Sequence, residues 1–357
     1  MIRIRLGQVI DIIEDYEDLV IVKVLVDGEV AKAIHYPEIG GLVKIGQKVI
    51  LNTTARNLNL GTGGYHFILH VYGNDSLDPE SCGHIMKLRY TPYQLKVLSV
   101  EEEESPYHAQ LKKADTLAGM PVIVAPLHSM ITPIAVVIKN LKPQTKIVYL
   151  MSDGGALPLA ISKLVRSLKK RGFIEGTITF GHAFGGDLEA VNVYTALLAA
   201  KWVFKADIVI IAMGPGIVGT GTPYGFSGVE QANFLHAAAL LCGDPIAVLR
   251  ISFADSRSRH WGISHHSRIV LGKLTLIKSS IAIPELDGKK KEIIEKQLIN
   301  SGIKEKHLIS YFPTDQVEHV LNDDSLNLQT MGRKFSEDRE FFLTAGLAGM
   351  LALHRIS

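Results

Sequence analysis

Two stretches of this sequence contain residue types that bind and react with anions. The more basic stretch runs from residue 255 to residue 268 and holds arginines and histidines close together. A guanidinium binds an oxyanion through paired hydrogen bonds, and an imidazole changes its charge near neutral pH, so it can transfer protons. The segment predicts anion binding or acid–base catalysis; the alternative is a solvated basic loop docked on acidic residues. Its candidate residues are Arg257, Arg259, His260, His265, His266 and Arg268.

The second stretch is rich in glycine and follows an apolar, β-branched run. Residues 208–213 predict a strand buried on both faces, which leads into Gly-Pro-Gly-Ile-Val-Gly-Thr-Gly. Glycine permits positive φ and a close approach of backbone N–H groups, so this arrangement is typical of an anion cradle. Ser227 and Glu230 predict a capping box at the next helix. The ligand-binding candidates here are Gly214, Gly216, Gly219, Thr220 and Gly221.

Five loops are expected to meet at one edge of a parallel sheet, because open α/β sheets bind ligands outside the carboxyl ends of their strands. Simpler alternatives stay open for three of them. Asp187 could cap a helix that begins at Leu188, residues 153–155 could form a tight turn, and His128 could be a core histidine. The catalytic candidates are His182, His265, His266, Asp153, Asp187 and Asp255, and further binding candidates are His128, Gly154 and Gly155.

The cofactor is left open, with a divalent metal as the candidate. Imidazole and carboxylate suit zinc, manganese or iron, and a metal-bound water becomes a nucleophile. No compact motif such as H-E-x-x-H is present, so several loops would have to supply the ligands. The G-x-G-x-x-G spacing at 214–219 is weak evidence for a dinucleotide, because no helix opens at its second glycine. The glycines lack a following Gly-Lys-Ser or Gly-Lys-Thr, which excludes a P-loop, and the lack of G-x-S-x-G argues against a serine hydrolase.

The elements that must position these loops alternate between strand and helix from residue 120 onward. This alternation predicts a doubly wound, mostly parallel sheet covered on both faces. The C-terminal helix carries Gly346 and Gly349 on one face, which predicts close packing within the fold or against a second subunit. The predicted strands are 121–125, 146–151, 176–181, 208–213, 245–252 and 307–312, and the predicted helices are 133–141, 156–171, 188–204, 229–241, 285–301 and 336–354.

The N-terminal part predicts a small β-barrel of the OB or SH3-like kind. Its strand-like runs at 2–13, 19–26, 29–35 and 42–51 are separated by turn signals, among which Asp27-Gly28 strongly indicates a hairpin. We expect the barrel over 1–75 and a Rossmann-like α/β domain with a C-terminal helix over 76–357. A glycine-rich loop at 52–67 could face a ligand, and a polar segment at 73–82 separates the domains. Without a basic, aromatic surface, the barrel favours packing or association over oligonucleotide binding.

The composition argues against several classes of protein. With 357 residues and a formal net charge of +2, the chain can bury a large core but has no global field for nucleic acid or acidic membranes. Cys82 and Cys242 are far apart in sequence, which is typical of a reducing compartment. No apolar run reaches the ~18 residues of a membrane span, and the N-terminus lacks signal-peptide features. A cytoplasmic location is expected.

Several motifs resemble a bacterial family of similar length that is described as a domain of unknown function (3866). The likeness runs along the full chain. The resemblance implies a bacterial, cytoplasmic protein and implies no activity, substrate or catalytic residue. The motifs are Asn-Thr-Thr-Ala at 52–55 with Leu-Gly-Thr-Gly-Gly-Tyr-His-Phe at 60–67, Met-Ser-Asp-Gly-Gly-Ala-Leu-Pro at 151–158, Gly-His-Ala-Phe-Gly-Gly-Asp at 181–187, and Met-Gly-Pro-Gly-Ile-Val-Gly-Thr-Gly-Thr at 213–222.

The sequence favours an enzyme, a hydrolase or transferase, acting on a small anionic ligand that is phosphorylated or nucleotide-like. The glycine loop would hold the anion, the basic segment would neutralise it, and His182, His265 or His266 would transfer protons. One alternative is a metal-dependent hydrolase built on the His/Asp set. Another is a non-catalytic metabolite sensor or assembly protein. Neither nucleic acid nor a membrane is expected as a partner, and self-association is left open.

Overall fold

The computed structural model describes residues 1–61, 63–74, 76–78 and 82–356. The chain divides into two compact units, Met1–Val97 and Leu98–Ser357. The sequence places this boundary after residue 75 instead. The glycine-rich loop at 52–67 and the polar segment at 73–82 both include residues outside the described ranges, so neither receives a full structural account.

The first unit is a closed five-stranded barrel with a small hairpin after it. Its strand order is β1-β2-β3-β5-β4, and antiparallel pairing of β1 with β4 closes it. The predicted barrel is therefore confirmed. The elements are β1 (Ile4–Asp15), β2 (Val20–Val26), β3 (Glu29–His35), α1 (Pro37–Gly40), β4 (Lys48–Asn52), α2 (Thr54–Asn57), β5 (His66–Val71), β6 (Ile85–Lys87) and β7 (Leu95–Val97).

Small β-branched and aliphatic side chains fill the barrel. Val20, Val22, Val24 and Val26 on β2 are all buried, because alternate residues of a strand point to the same face. The predicted hairpin turn at Asp27-Gly28 is present, with φ angles of 51° and 81°. Positive φ at both central residues is what a type I′ turn requires, and its twist matches that of the flanking strands.

The second unit contains an eight-stranded sheet in which all neighbouring strands are parallel. The order is β11-β10-β9-β12-β8-β13-β16-β17. Strand β12 lies between β9 and β8, and the chain then passes to β13 on the other side of β8, so the strand order changes direction around β8 and β12. The strands are β8 (Pro121–Val124), β9 (Ile147–Ser152), β10 (Gly176–Phe180), β11 (Leu188–Ala190), β12 (Ile208–Met213), β13 (Asp244–Ala247), β16 (Ser280–Pro284) and β17 (Leu308–Phe312).

Helices cover both faces of this sheet, as predicted. Helices α4, α5, α11 and α12 share one core with the sheet, and α6, α7 and α9 share the other. Two further short sheets pair β14 with β15 and β18 with β19. The remaining elements are α3 (His108–Leu111), α4 (Ile131–Leu141), α5 (Lys163–Lys170), α6 (Val193–Trp202), α7 (Glu230–Leu240), β14 (Ile251–Ser252), β15 (Gly262–Ile263), α8 (His265–Ile269), α9 (Gly288–Asn300), α10 (Ile303–Lys306), α11 (Asp315–Leu321), β18 (Gln329–Thr330), β19 (Arg333–Lys334) and α12 (Arg339–Leu353).

Several element boundaries differ from the sequence prediction. The helix expected from Leu188 begins at Val193, because residues 188–190 instead form an edge strand beside β10. Asn192 caps this helix by accepting backbone hydrogen bonds from Tyr194 and Thr195. The single strand expected over 245–252 is two strands, because the chain leaves the main sheet after Ala247. Strand β16 was not predicted.

The small-residue face of α12 packs inside the unit. A Cβ added at Gly349 would lie 2.8 Å from the carbonyl oxygen of Ile134, and one at Gly346 would lie 2.7 Å from Val317. These glycines therefore permit close contact with α4 and α11. Residues 340–353 of the helix are all buried, so this face is used within the fold. None of the helices in the described residues has both the length and the apolar character needed to cross a bilayer.

Candidate functional site

The structure brings the glycine loop and the basic segment together at the carboxyl edge of the sheet. They line a cleft of about 220 Å³, here called the basic cleft. Among the described residues that line it there is no Asp or Glu, so its lining contributes only positive or neutral side chains. The lining residues are Ile217, Val218, Gly219, Gly221, Arg250, Arg257, Arg259, His260, His265, His266 and Met331.

A buried ion pair forms the base of the basic cleft. Arg250, which is 3% exposed, donates from Nη2 to Asp255 Oδ2 at 2.7 Å. Arg257 donates from Nε to Oδ1 and from Nη2 to Oδ2 of the same carboxylate, each at 2.9 Å. The hydrogen bonds from Arg257, together with the Arg250 charge, hold the pKa of Asp255 well below its usual range. Asp255, a predicted catalytic residue, is thus a permanently charged anchor that orients two arginines.

Three histidines form a cluster on this base. His260 accepts a hydrogen bond at Nδ1 from Arg250 Nη1 at 3.2 Å. The ring centroids of His260 and His265 are 4.8 Å apart, and those of His265 and His266 are 4.1 Å apart. His266 also stacks on Phe226, with centroids 3.8 Å apart. The three imidazoles therefore form one contiguous surface.

These histidines are neutral at physiological pH. Burial, followed by the charges of Arg250 and Arg257, lowers the pKa of His260 to about 3. Burial and neighbouring positive groups lower the pKa of His266 to about 4, and the pKa of His265 shifts in the same direction. Neutral imidazoles surrounded by cations have an unused capacity to take up a proton when a negative charge arrives.

The positive charge around the cleft exceeds the negative charge. Two buried carboxylates, Asp255 and Asp338, pair with Arg250, Arg257 and Arg333. Arg333 donates from Nη2 to Asp338 Oδ2 at 2.8 Å, and Ser252 Oγ donates to the same oxygen at 3.0 Å. Arg259 lines the cleft, and the charge of Arg268 acts on His265. The excess of arginines creates a positive potential suited to an anionic ligand.

The glycine loop forms one wall of the cleft and folds as a small hairpin. Gly219 forms an antiparallel bridge with Phe226. The backbone N–H of Thr220 donates to the carbonyl of Gly225 at 2.8 Å, so this predicted ligand-binding amide is used within the loop. Gly216 and Gly221 have φ angles of 105° and 79°, which favour glycine.

A second group of predicted residues surrounds Glu230. Ser152 Oγ donates to Glu230 Oε1 at 2.6 Å, so Glu230 is engaged by a strand end and not by the predicted capping box. A Cβ added at Gly154 would lie 2.4 Å from Glu230 Oε2, which explains the glycine there. Burial, assisted by the charge of Asp153, raises the pKa of Glu230 to about 7. The Asp153 carboxylate accepts the backbone N–H of His182 at 2.9 Å.

His128 lines another cleft, of about 310 Å³, beside the basic cleft. Its Nδ1 lies 3.1 Å from the carbonyl oxygen of Met213, and its Nε2 lies 2.7 Å from Ser162 Oγ. Burial lowers the pKa of His128 to about 4. We call this space the uncharged cleft. Its lining residues are Leu127, His128, Ser129, Leu164, Met213, Gly214, Pro215, Gly216, Ile217, Gln329, Thr330 and Met331.

Asp187 lies at the amino end of β11, away from these clefts. Its Oδ2 accepts hydrogen bonds from the backbone N–H and the hydroxyl of Thr177, at 2.8 and 3.0 Å, and Lys169 pairs with its other oxygen. The chain reaches this end because residues 181–187 must run back along the sheet before a parallel strand can start. Asp187 therefore fixes the entry to β11, and it does not cap a helix.

The predicted metal ligands are distributed over separate groups. In the described ranges, no three His, Cys, Asp or Glu side chains are grouped so that they could hold a metal ion. Asp153 lies with Glu230, Asp187 with Lys169, and Asp255 with its arginines. Gly155 packs its Cα against the glycine loop, since a Cβ there would lie 2.3 Å from the carbonyl oxygen of Gly214.

Two residues that line these clefts, Arg250 and Met331, were not named as site candidates from the sequence, and neither was Glu230 beside Ser152. Arg250 is the buried centre of the basic cleft, Met331 lines both clefts, and Glu230 has a carboxyl pKa near neutrality. A weak signal exists for Arg250 alone, as a charged residue inside an apolar run. Met331 lies in a Met-Gly turn, with φ angles of 47° and 80° at residues 331 and 332, which a sequence pattern can indicate only as a hairpin.

The chain belongs to a family described as "Protein of unknown function (DUF3866)", which matches residues 32–349. The match spans the glycine loop, the basic segment and the hairpin that carries Met331. No curated protein matches the chain.

Proposed function

We propose that this protein is an enzyme that binds a small phosphorylated or nucleotide-like anion in the basic cleft. One observation carries the proposal: three arginines and three histidines converge with the glycine loop in a cleft that no described carboxylate lines. Guanidinium groups recognise phosphate oxygens through paired hydrogen bonds. The position at the carboxyl edge of a parallel sheet is where Rossmann-like folds bind their ligands.

The residues divide into anchors and ligand-binding groups. Arg250 and Asp255 are buried and hold each other, so they form the base. Arg257 and Arg259 are exposed at the mouth and would bind the anion. In this arrangement Asp255 fixes the plane of Arg257 through two hydrogen bonds, which reduces the conformational entropy that Arg257 loses when the ligand binds.

The histidines are the candidates for proton transfer. A bound dianion would raise the lowered pKa values of His266 and His265, because the negative charge stabilises an imidazolium. Protonated in this way, an imidazole could donate to a leaving oxygen during hydrolysis or group transfer. Strongly perturbed pKa values in a cleft are typical of catalytic sites.

A thermal-shift screen tests the proposal. Inorganic phosphate, nucleoside monophosphates and sugar phosphates are the probes, and each is added separately to the wild-type protein. A ligand at about 100 times its Kd stabilises the folded state by about 2.7 kcal/mol, which shifts the midpoint by several degrees. We expect such a shift with at least one phosphorylated class and a large loss of it in Arg259→Ala. No shift with any probe, or an unchanged shift in the variant, would overturn the proposal.

The cellular setting belongs to the same proposal. Cys82 and Cys242 are both free thiols, which suits a reducing, cytoplasmic compartment. We propose a bacterial cytoplasmic enzyme on this basis and on the resemblance of its motifs.

A further inference from the structure

We infer that the ligand has two parts: an anionic group in the basic cleft and an uncharged, nucleoside-like body in the adjoining uncharged cleft. This inference rests on the proposed function and specifies its substrate class. It predicts a nucleotide, in preference to inorganic phosphate or a simple sugar phosphate.

The two clefts are adjacent, because Ile217 and Met331 line both of them. A ligand longer than a single anionic group could therefore extend from one cleft into the other past these two side chains. The glycine loop supplies Ile217, and the β18–β19 hairpin supplies Met331.

The charges of the two clefts are segregated. The basic cleft is lined by Arg250, Arg257 and Arg259. Among the described residues around the uncharged cleft there is no Lys, Arg, Asp or Glu, and its single titratable side chain, His128, is neutral because burial lowers its pKa to about 4. A second anionic group would gain no partner there, so the body of the ligand has to be uncharged.

The uncharged cleft combines apolar walls with a few hydrogen-bonding groups. Leu127, Leu164 and Pro215 provide apolar surface. Ser129 Oγ and Thr330 Oγ1 lie 3.0 Å apart and bond to each other, so an incoming polar edge could exchange with this bond. Apolar faces with hydrogen-bonding edges are the chemistry of a nucleobase, whereas a sugar alone would leave the apolar walls unfilled.

Met331 occupies the junction. Its sulfur accepts hydrogen bonds from Arg250 Nη2 at 3.4 Å and from Arg257 Nη2 at 3.7 Å, and its side chain is nearly half exposed. The neighbouring Arg333 is held by Asp338, which fixes the hairpin. A thioether packs well against flat ring faces, so Met331 is placed to contact the body of the ligand next to its anionic group.

Calorimetric titration of the full chain tests this inference with inorganic phosphate, ribose 5-phosphate and the common ribonucleoside monophosphates. We expect at least one nucleotide to bind about tenfold more tightly than either smaller probe. Met331→Ala should reduce nucleotide affinity about tenfold more than it reduces phosphate affinity, while Met331→Leu should restore most of the nucleotide affinity. Lys170→Ala removes one positive charge at the exposed C-terminal end of α5, and it is the control for a loss of charge outside the two clefts.

The outcomes separate the inference from the proposed function. Equal affinity for phosphate and every nucleotide, or for ribose 5-phosphate and every nucleotide, would overturn the two-part ligand while the anion site stands. An unchanged nucleotide affinity in Met331→Ala, or an equal loss of affinity for phosphate and nucleotide, with wild-type thermal stability, would also overturn it. If no probe binds to the wild type, the proposed function itself fails.

Discussion

Glu230→Gln should remove a pH dependence of stability from the α/β unit. Burial, with the charge of Asp153 adding to it, raises the pKa of this carboxyl from 4.5 to about 7. The folded protein thus holds the proton more tightly than the unfolded chain does. The stabilisation that the folded state gains from holding this proton is complete below pH 4.5, and it is lost as the pH rises through about 7.

The magnitude follows from the size of the pKa change. A rise from 4.5 to about 7 corresponds to about 3 kcal/mol in the free energy of unfolding. Because the side chain keeps some contact with solvent, we reduce this to about 2 kcal/mol. Glutamine keeps a carbonyl that can accept the hydrogen bond from Ser152 and carries no charge, so the variant isolates the titration.

Thermal unfolding of the wild type and Glu230→Gln at about pH 5 and about pH 8 measures the effect. Relative to the variant, the wild type should lose about 2 kcal/mol between these conditions, a shift in midpoint of about 4 °C. Glu305→Gln, an exposed glutamate on α10, should behave like the wild type. If the wild type and Glu230→Gln change in parallel with pH, the argument from burial is refuted.

Three further predictions concern packing, charge and proton uptake. Gly155→Ala should lower the free energy of unfolding by about 2 kcal/mol, because its Cβ would lie 2.3 Å from a backbone carbonyl oxygen. Gly61→Ala is the control, since a Cβ there has no neighbour within 4 Å, and it should leave the thermal unfolding midpoint unchanged. Asp255→Asn should lower the free energy of unfolding in urea by about 3 kcal/mol, because it leaves Arg250 buried without its carboxylate partner. An unchanged urea midpoint would contradict this. Binding of sulfate, a dianion that does not itself titrate near pH 6, should be accompanied by proton uptake, because the bound anion raises the pKa of His266 from about 4; equal heats in buffers of different ionisation enthalpy would contradict this.

The architecture was predictable where short-range patterns decide the structure. Residues 208–213 form a buried strand because they are apolar and β-branched, and residues 27–28 form a hairpin turn because both tolerate positive φ. Residues 280–284 were missed, since Ser-Ile-Ala-Ile-Pro is too short to separate strand from loop. At Leu188, pairing with Ile178 on β10 overrides the local helical pattern.

The site was predictable only as a set of loops. Parallel topology places the glycine loop and the basic segment at one edge, and the structure brings them together. Arg250 reaches the base of the cleft because the chain leaves the sheet after Ala247. The local residue pattern does not determine where the chain leaves the sheet. Glu230 sits in a Ser-x-x-Glu pattern typical of a cap, whereas its partner Ser152 is distant in sequence. Such tertiary contacts have no local signature.

The most direct test of the central claim is the affinity of the basic cleft for inorganic phosphate. Titration calorimetry would compare the wild type with the double variant Arg259→Ala/His265→Ala and with Lys170→Ala as control. The account predicts that the wild type and the control bind phosphate and that the double variant, with unchanged thermal stability, loses at least about tenfold in affinity. Equal affinity in all three proteins, or no binding to the wild type, would contradict an anion site in this cleft.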